Sequence, residues 1–165
     1  MSSMTNITSD DSTSKVAVSC ENGEYGVFAQ CAIRSGEQIL FIEGIATNIP
    51  SKYSIQVGLG LHLEPEITDI NDLTSLKSVW RFLNHSSTPN TRVNGFYLET
   101  LESIKAGDEI TFNYNANEYD MATPFTCRET GKLISGFKNL SIDEQNELKE
   151  QLSEHLLSLL QSQDS

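Results

Sequence analysis

Apolar and polar residues alternate in short stretches along the first two thirds of the chain. Val16, Val18 and Cys20 are two positions apart, and residues 53–57 repeat this spacing with Tyr53 and Val57 on the same face. A period of two is typical of a strand, because successive side chains point to opposite faces. The predicted strands are residues 15–20, 27–33, 38–42, 53–57, 59–63, 92–101 and 109–114. Glycine-containing turns separate several of them, which indicates a mainly β core.

Two other segments have helical spacing. Residues 75–83 carry apolar side chains three or four positions apart and predict a short helix. Residues 141–165 predict one amphipathic helix, in which Ser141 and Glu144 form a capping box. Its apolar stripe consists of Leu148, Leu152, Leu156 and Leu159. We expect this stripe to pack against the β core; a coiled-coil dimer is disfavoured because the stripe covers too few heptads.

The length of 165 residues suits one domain with its own core. No apolar run approaches the roughly 20 residues that cross a bilayer, so the sequence predicts a soluble protein that is not embedded in a membrane. Residues 1–14 are rich in Ser, Thr and Asp and lack the basic and apolar regions of a secretory signal. They are predicted to be a disordered lead-in.

The chain is strongly acidic, with 23 Asp and Glu against 11 Lys and Arg and a formal charge of −12. Such a surface repels phosphate backbones, so direct binding of nucleic acid is not expected. The acidity accounts first for solubility and is compatible with a basic partner. Cys20, Cys31 and Cys127 are odd in number and far apart, which favours a reducing intracellular compartment, cytoplasmic or nuclear, over a disulfide framework. His62 and His155 lie in no motif and are interpreted as surface or partly buried side chains, not as ligands.

Three separated segments combine residue types that are unusual for plain turns and strands. Residues 22–29 read NGEYGVFA, residues 81–90 read RFLNHSSTPN, and residues 107–115 read GDEITFNYN. Each segment alone has an ordinary explanation: a glycine turn, a loop that satisfies its own backbone, or an edge strand. Because all three segments occur in this order along one chain, the combination is a much more specific signal than any one segment alone.

Together these segments resemble the SET-domain family of protein lysine methyltransferases, whose corresponding stretches read GxG before a strand, RFxNHSCxPN and GEELTFDYN. The resemblance extends over residues 16–140. It implies a β-clip fold of small sheets with a knot-like core. It also implies a layout of a SET domain at residues 15–124, a degenerate post-SET segment at residues 125–140 and the C-terminal helix at residues 141–165.

The resemblance further implies a site that binds S-adenosylmethionine and methylates an amine. Tyr114 matches the catalytic tyrosine, while Phe112 and, more loosely, Tyr53 match positions that line a lysine channel. The residues that would bind the cofactor are Gly23, Glu24, Tyr25, Gly26, Asn84, His85 and Tyr114. A protein or peptide lysine is the implied acceptor. The alternatives are an N-methyltransferase of small amines or peptides, and a non-catalytic SET module that binds a partner.

The residue types suit this chemistry. Methyl transfer from a sulfonium to an amine is an in-line displacement, so positioning supplies much of the acceleration. Lysine must first lose a proton, and desolvation among aromatic rings favours its neutral form. We therefore expect no dedicated general base.

Two departures from the family pattern stand out. Ser87 occupies the position of the cysteine in NHSC, and Cys127 alone remains where the family tail supplies three further cysteines. One thiolate cannot form a tetrahedral zinc site, so no zinc is expected. Asn113 stands where the family has Asp, which removes a charge next to Tyr114.

Overall fold

A computed structural model describes residues 14–66 and 76–163. The predicted lead-in therefore lies, except for Ser14, outside the described residues. Within them, short strands dominate and form four small sheets, which confirms the mainly β architecture. The strands are β1 (Val16–Glu21), β2 (Glu24–Ala29), β3 (Gln38–Phe41), β4 (Ile45–Thr47), β5 (Ile55–Gly58), β6 (Leu61–Glu64), β7 (Asn84–His85), β8 (Thr91–Asn94), β9 (Tyr97–Thr100), β10 (Glu109–Phe112), β11 (Phe125–Thr126) and β12 (Leu133–Ile134).

The largest sheet has the order β1-β2-β10-β7 and brings the three motif segments together. Strands β1 and β2 form a hairpin whose turn residues, Asn22 and Gly23, both have positive φ (55° and 81°). This geometry matches the strand twist and explains the Asn-Gly pair. The composition of residues 84–90 is typical of a loop, but the segment begins with β7, which pairs in parallel with β10 and places Asn84 opposite Thr111 and His85 opposite Phe112.

The second sheet, β3-β9-β8, corrects one predicted strand. Residues 92–101 were predicted as a single strand, whereas they contain parts of two strands, β8 and β9, joined at Gly95 and Phe96. Gly95 has φ 61°, a conformation that glycine adopts without steric cost and that reverses the chain. The remaining two sheets have the orders β4-β6-β5 and β11-β12.

The predicted helix at residues 75–83 forms, in its described part, a 3-10 helix over Leu76–Phe82. Val79, Trp80 and Leu83 are buried, as the spacing indicated. The indole Nε1 of Trp80 donates a hydrogen bond of 2.9 Å to the carbonyl oxygen of Glu43. This bond fixes the segment that leads directly into Asn84.

The predicted C-terminal helix is not continuous. The capping box of Ser141 and Glu144 is present and starts helix α1 (Ile142–Glu147). A 3-10 turn over Lys149–Gln151 and an extended Leu152 then separate it from helix α2 (Glu154–Gln163). The interruption has a tertiary cause, because the backbone N–H of Ser153 donates to the carbonyl oxygen of Ala116 at 2.9 Å instead of continuing the helix.

Two hydrophobic clusters hold the fold. The larger draws residues from three of the sheets and includes Val27, Leu98 and Ile110, which are fully buried. In the smaller, helix α2 and Leu152 pack on Phe137 and Ala116. Leu156 of the predicted stripe is buried here, whereas Leu148 and Leu159 are only partly covered. Neither described helix has the length and apolar character of a membrane span.

Candidate functional site

The parallel pairing of β7 with β10 places His85 beside Tyr114. The backbone N–H of Tyr114 donates to Nδ1 of His85 at 3.1 Å, and the two rings meet edge to face with centroids 5.2 Å apart. Because Nδ1 accepts this bond, the proton of the neutral imidazole is on Nε2. Burial lowers the pKa of His85, although Glu129 acts in the opposite direction, so the ring is neutral at pH 7.

Tyr114 sits at the centre of an aromatic group. Its ring centroid lies 4.8 Å from that of Phe112 and 5.7 Å from that of Phe125. Its hydroxyl donates to the carbonyl oxygen of Leu83 at 2.7 Å. Burial, reinforced by the negative charges of Glu118 and Glu109, raises the pKa of Tyr114 far above its usual range. The phenol therefore remains protonated and acts as a positioned dipole, not as a base.

A cavity of about 340 Å³ opens at this aromatic group. The three predicted residues of the active site and the channel, Tyr53, Phe112 and Tyr114, all line it. Tyr53 is 56% exposed and precedes β5 instead of lying in that strand, so its side chain belongs to the mouth. The other lining residues are Ser51, Lys52, Ser54, Ile55, Trp80, Arg81, Leu83, Glu118, Met121, Ala122, Thr123, Pro124 and Phe125.

The predicted cofactor-binding turn is joined to Asn84. The side-chain Nδ2 of Asn84 donates to the carbonyl oxygen of Tyr25 at 2.8 Å and to Glu109 Oε2 at 2.7 Å. Gly26 lies against the same group, since a Cβ at this position would approach Glu109 Oε2 to 2.7 Å and Asn84 Nδ2 to 3.3 Å. Tyr25, Gly26 and Asn84 are thus brought together by backbone approach that only glycine permits.

Gly23 and Glu24 occupy the tip of the same hairpin. Open space surrounds Gly23, and the carboxylate of Glu24 lies 3.5 Å from the guanidinium of Arg128 in an exposed pair. The structure thus places Glu24 beside the tail that carries Phe125, while the described contacts of Gly23 and Glu24 do not reach His85 or Tyr114.

One buried polar atom has the character expected of a ligand-binding group. Within the described residues, Nε2 of His85 is buried and has no hydrogen-bond partner. As the protonated nitrogen it is a donor, and leaving a buried donor unsatisfied costs about 1–3 kcal/mol. The donor lies next to the aromatic group and one residue from Asn84, which fits an acceptor atom of a bound molecule such as S-adenosylmethionine.

Of the lining residues that sequence reasoning did not predict, Phe125 and Glu118 are the two that bear on the chemistry of the cavity. Phe125, on β11, contacts the rings of both His85 and Tyr114 edge to face, each with centroids 5.7 Å apart. Glu118 is 8% exposed and also lines the cavity. A lone Phe in the predicted tail and a lone Glu after the third motif give no periodic signal, so only the fold reveals their positions.

The departures from the family pattern have structural counterparts. Carboxylate oxygens of Glu129 accept from the backbone N–H of Ser87 at 3.1 Å and from the Ser86 hydroxyl at 3.3 Å, which joins the loop after β7 to the tail. Cys127 is buried and free. The amide of Asn113 donates to Gln151 Oε1 at 2.9 Å, a bond that an ionised Asp could not make.

The two histidines without a motif are more buried than the sequence suggested. His62 is 6% exposed and His155 is 7% exposed, which corrects their interpretation as surface or partly buried side chains. Nε2 of His155 lies 2.8 Å from the carbonyl oxygen of Asn117. Across residues 14–66 and 76–163, no three His, Cys, Asp or Glu side chains are grouped closely enough to hold a metal ion.

Comparison with known proteins gives a family match. The profile described as the SET domain matches residues 24–115, more than half of the chain. The chain is 32% identical over 119 residues to the variant-silencing SET domain-containing protein of Plasmodium falciparum, covering 59% of this chain and 5% of that protein. It is 33% identical over 91 residues to methyltransferase flvH of Aspergillus flavus, covering 50% of this chain and 45% of that protein. The chain thus spans less than half the length of both curated relatives.

Solved structures give weaker matches. An active polycomb repressive complex 2 in the stimulated state matches with a TM-score of 0.46 and 20% identity, covering 64% of this chain and 16% of that one. A candidate histone methyltransferase of Plasmodium falciparum matches with a TM-score of 0.46 and 21% identity, covering 62% of this chain and 94% of that one.

Proposed function

Since the chain belongs to the SET-domain family, we propose that it is an S-adenosylmethionine-dependent N-methyltransferase whose acceptor is a lysine side chain of a protein or peptide. The observation that carries this proposal is the hydrogen bond between Tyr114 N–H and His85 Nδ1, which joins the second and third motif segments at the cavity. The 33% identity over 91 residues to a protein named as a methyltransferase supports the reaction class.

The residues divide into a binding side and a transfer side. Asn84, held by Tyr25 and Glu109, and the free Nε2–H of His85 are the groups that would hold the cofactor. S-adenosylmethionine, when bound, supplies a methyl group made electrophilic by a positively charged sulfur. The faces of the surrounding aromatic rings favour cations, which suits both a sulfonium and an alkylammonium group.

Tyr114 acts through position. Because its hydroxyl hydrogen is donated to Leu83, the oxygen keeps lone pairs for weak C–H···O contacts that orient a methyl group. Phe112 and Phe125 restrict the ring from two sides. Restricting the reactants in this way lowers the entropic cost of an in-line displacement.

The acceptor is proposed as lysine on the basis of the cavity. Its walls are largely apolar and aromatic with a mouth at Tyr53, and the buried Glu118 gives it a carboxyl group. A long alkyl stem that ends in an amine matches this combination. A free small amine would satisfy the same walls, so it is retained as the alternative acceptor.

Two measurements test the function. Calorimetry with S-adenosylmethionine should show one binding site per chain, whereas absence of binding would favour a non-catalytic interaction module. Incubation of a cell lysate with radiolabelled cofactor and the protein should then produce labelled protein bands with label on lysine. Label found only in small molecules would favour the small-amine alternative.

A further inference from the structure

Glu118 is a buried carboxylate inside the proposed acceptor cavity, just beyond the residues that the family profile matches. Its backbone N–H donates to the carbonyl oxygen of Tyr114 at 2.8 Å, so both residues belong to the same turn. Only 8% of the residue is exposed. A charge at such a position is costly unless a partner compensates it.

The two oxygens of this carboxylate differ. Oε2 accepts from the backbone N–H of Gln56 at 2.8 Å and from Nδ2 of Asn117 at 3.1 Å. Nδ1 of His62 lies 4.0 Å from Oε1, beyond hydrogen-bond reach. Burial lowers the pKa of His62, so this histidine is neutral at pH 7 and supplies no compensating charge. Oε1 is thus left available, within the described part of the chain, for a cationic hydrogen-bond donor.

Other titratable groups lie near His62, near His155 and in the cavity. His62 on β6 has Glu64 nearby, and His155 on helix α2 has Glu154 nearby. Burial lowers the pKa of His155 as well. The groups that share the cavity with Glu118 are Lys52, Tyr53, Arg81 and Tyr114.

Resting on the N-methyltransferase activity proposed above, we propose that Glu118 receives the ammonium group of the methyl acceptor and takes up the proton that this group must lose. The acceptor is thereby specified as a protonated primary or secondary alkylamine. This assignment replaces the expectation that the reaction has no dedicated base.

The step balances. One N–H bond of the ammonium breaks, its electron pair stays on nitrogen, and the proton forms an O–H bond on Glu118. The neutral amine then attacks the methyl carbon of the sulfonium, and the electrons of the broken C–S bond remain on sulfur. The product leaves as a methylated ammonium, and Glu118 returns its proton to water through the open cavity.

The protonation behaviour of Glu118 suits this role. Burial raises its pKa to about 7, although the hydrogen bonds from Gln56 and Asn117 lower it. A base with a pKa near the working pH is the most effective proton acceptor. In a poorly solvated cavity the neutral pair of carboxylic acid and amine is also favoured over two separated charges.

The test compares Glu118→Gln with the wild-type chain. Glutamine keeps the size and an acceptor for the Gln56 N–H but has no charge and takes no proton. With a lysine-containing peptide that the wild type methylates, we expect kcat/KM to fall about 10²-fold or more, since general-base catalysis contributes about 10²–10⁴-fold. The affinity for S-adenosylmethionine should change by less than about threefold. Glu150→Gln removes the same charge from an exposed turn and should leave all these values unchanged.

The pH profile separates catalysis from structural support. For the wild type, kcat/KM should rise with pH through about 7 as Glu118 loses its proton. This rising limb of the profile should vanish in Glu118→Gln. The pH dependence of kcat/KM should then reflect only the deprotonation of the acceptor amine. Glu118→Asp keeps a carboxylate, so it should retain the limb with reduced kcat. An unchanged kcat/KM or a retained limb in Glu118→Gln would overturn the assignment.

A binding measurement gives a second readout without turnover. n-Butylamine, whose stem has the length of the lysine side chain, should shift the carboxyl ¹³C resonance of Glu118 in the wild type. Its affinity should fall at least fivefold in Glu118→Gln and stay constant in Glu150→Gln. Equal affinity for n-butylamine in all three proteins contradicts the proposal for Glu118. A wild type that binds the cofactor but transfers no methyl group contradicts both this proposal and the proposed function.

Discussion

His85 and Tyr114 are joined by a hydrogen bond of 3.1 Å from the backbone N–H of Tyr114 to the ring Nδ1 of His85. The residues are far apart in sequence and belong to different motif segments. Their contact fixes the histidine tautomer and leaves its buried Nε2–H without a described partner. The same contact brings the tyrosine ring within 5.2 Å of the imidazole. One bond thus couples the proposed cofactor-binding side to the proposed transfer side.

Removal of a single hydroxyl tests the role of Tyr114. Tyr114→Phe keeps the ring but loses the 2.7 Å bond to Leu83. We expect methyl transfer to fall at least about 10²-fold because the methyl-orienting oxygen is gone. Cofactor affinity should stay within about threefold, and the free energy of unfolding should fall by about 1 kcal/mol. Calorimetry, radiolabel transfer and chemical denaturation measure the three quantities.

The control for that change is Tyr97→Phe, which removes a hydroxyl from an exposed tyrosine on β9. It should leave transfer and cofactor affinity unaltered. Full turnover by Tyr114→Phe would remove the assigned role of the hydroxyl.

A methyl group at Gly26 should disturb the group around Asn84. In Gly26→Ala the new Cβ meets Glu109 Oε2 at 2.7 Å, so that carboxylate must move away from Asn84. We expect affinity for S-adenosylmethionine to fall at least about tenfold, because the 2.7 Å bond between Asn84 Nδ2 and Glu109 Oε2 is disturbed. Gly58→Ala is the matched control, because its Cβ meets only side-chain atoms of Leu61 at 3.6 Å or more. Equal cofactor affinity in both variants would show that Gly26 is not part of the cofactor-binding site.

Glu118 should make stability depend on pH in a direction unusual for a carboxyl group. Its folded pKa of about 7 lies above the ordinary value of 4.5, so the folded state holds the proton more tightly than the unfolded state. Its contribution to stability is therefore present at low pH and is lost as pH rises between these two values. The loss is on the order of 3 kcal/mol.

The buried histidines act in the opposite direction. The pKa values of His62, His85 and His155 are lowered, so their contribution is present above 6.5 and is lost as pH falls. Both proteins contain these histidines, so their contribution cancels when the free energy of unfolding of Glu118→Gln is compared with that of the wild type. We expect the free energy of unfolding of the variant, relative to wild type, to increase from pH 5 to pH 8 in urea titrations. A difference independent of pH would show that Glu118 titrates normally.

The tail should be held by Glu129 without a metal ion. We expect EDTA to leave the unfolding temperature unchanged, and zinc bound in equimolar amount to purified protein would contradict this. Glu129→Gln weakens the charge-assisted bond to the Ser87 N–H, which has a length of 3.1 Å in the wild type. Amide exchange at Ser87 should then become at least fivefold faster, whereas Glu102→Gln, at an exposed position, should have no such effect.

Much of the local structure follows from short-range patterns. The alternation at Val16 and Val18, the Asn22-Gly23 turn and the capping box at Ser141 each depend on residues within a few positions, and each is present in the structure. The predictions are wrong where a residue distant in sequence determines the local structure. The helix predicted at residues 141–165 breaks because the Ser153 N–H finds the carbonyl oxygen of Ala116. The alternation at residues 53–57 puts Gln56 on the face opposite Val57, yet both residues are buried, and the backbone N–H of Gln56 donates to Glu118 Oε2 at 2.8 Å.

The sequence by itself determined the family and the strand-rich composition of the fold, and it predicted Asn84, His85 and Tyr114 as site residues, because all of these depend on residue types in a fixed order. Only the tertiary structure decided that Glu118 and Phe125 share the cavity with Tyr114. Burial, pKa and ring contacts are properties of the atoms that surround a side chain, and those atoms come from β5, β7, β10 and the segment before β11. The spacing of residues along the chain does not specify which distant atoms surround a side chain, because those contacts exist only once the sheets have assembled.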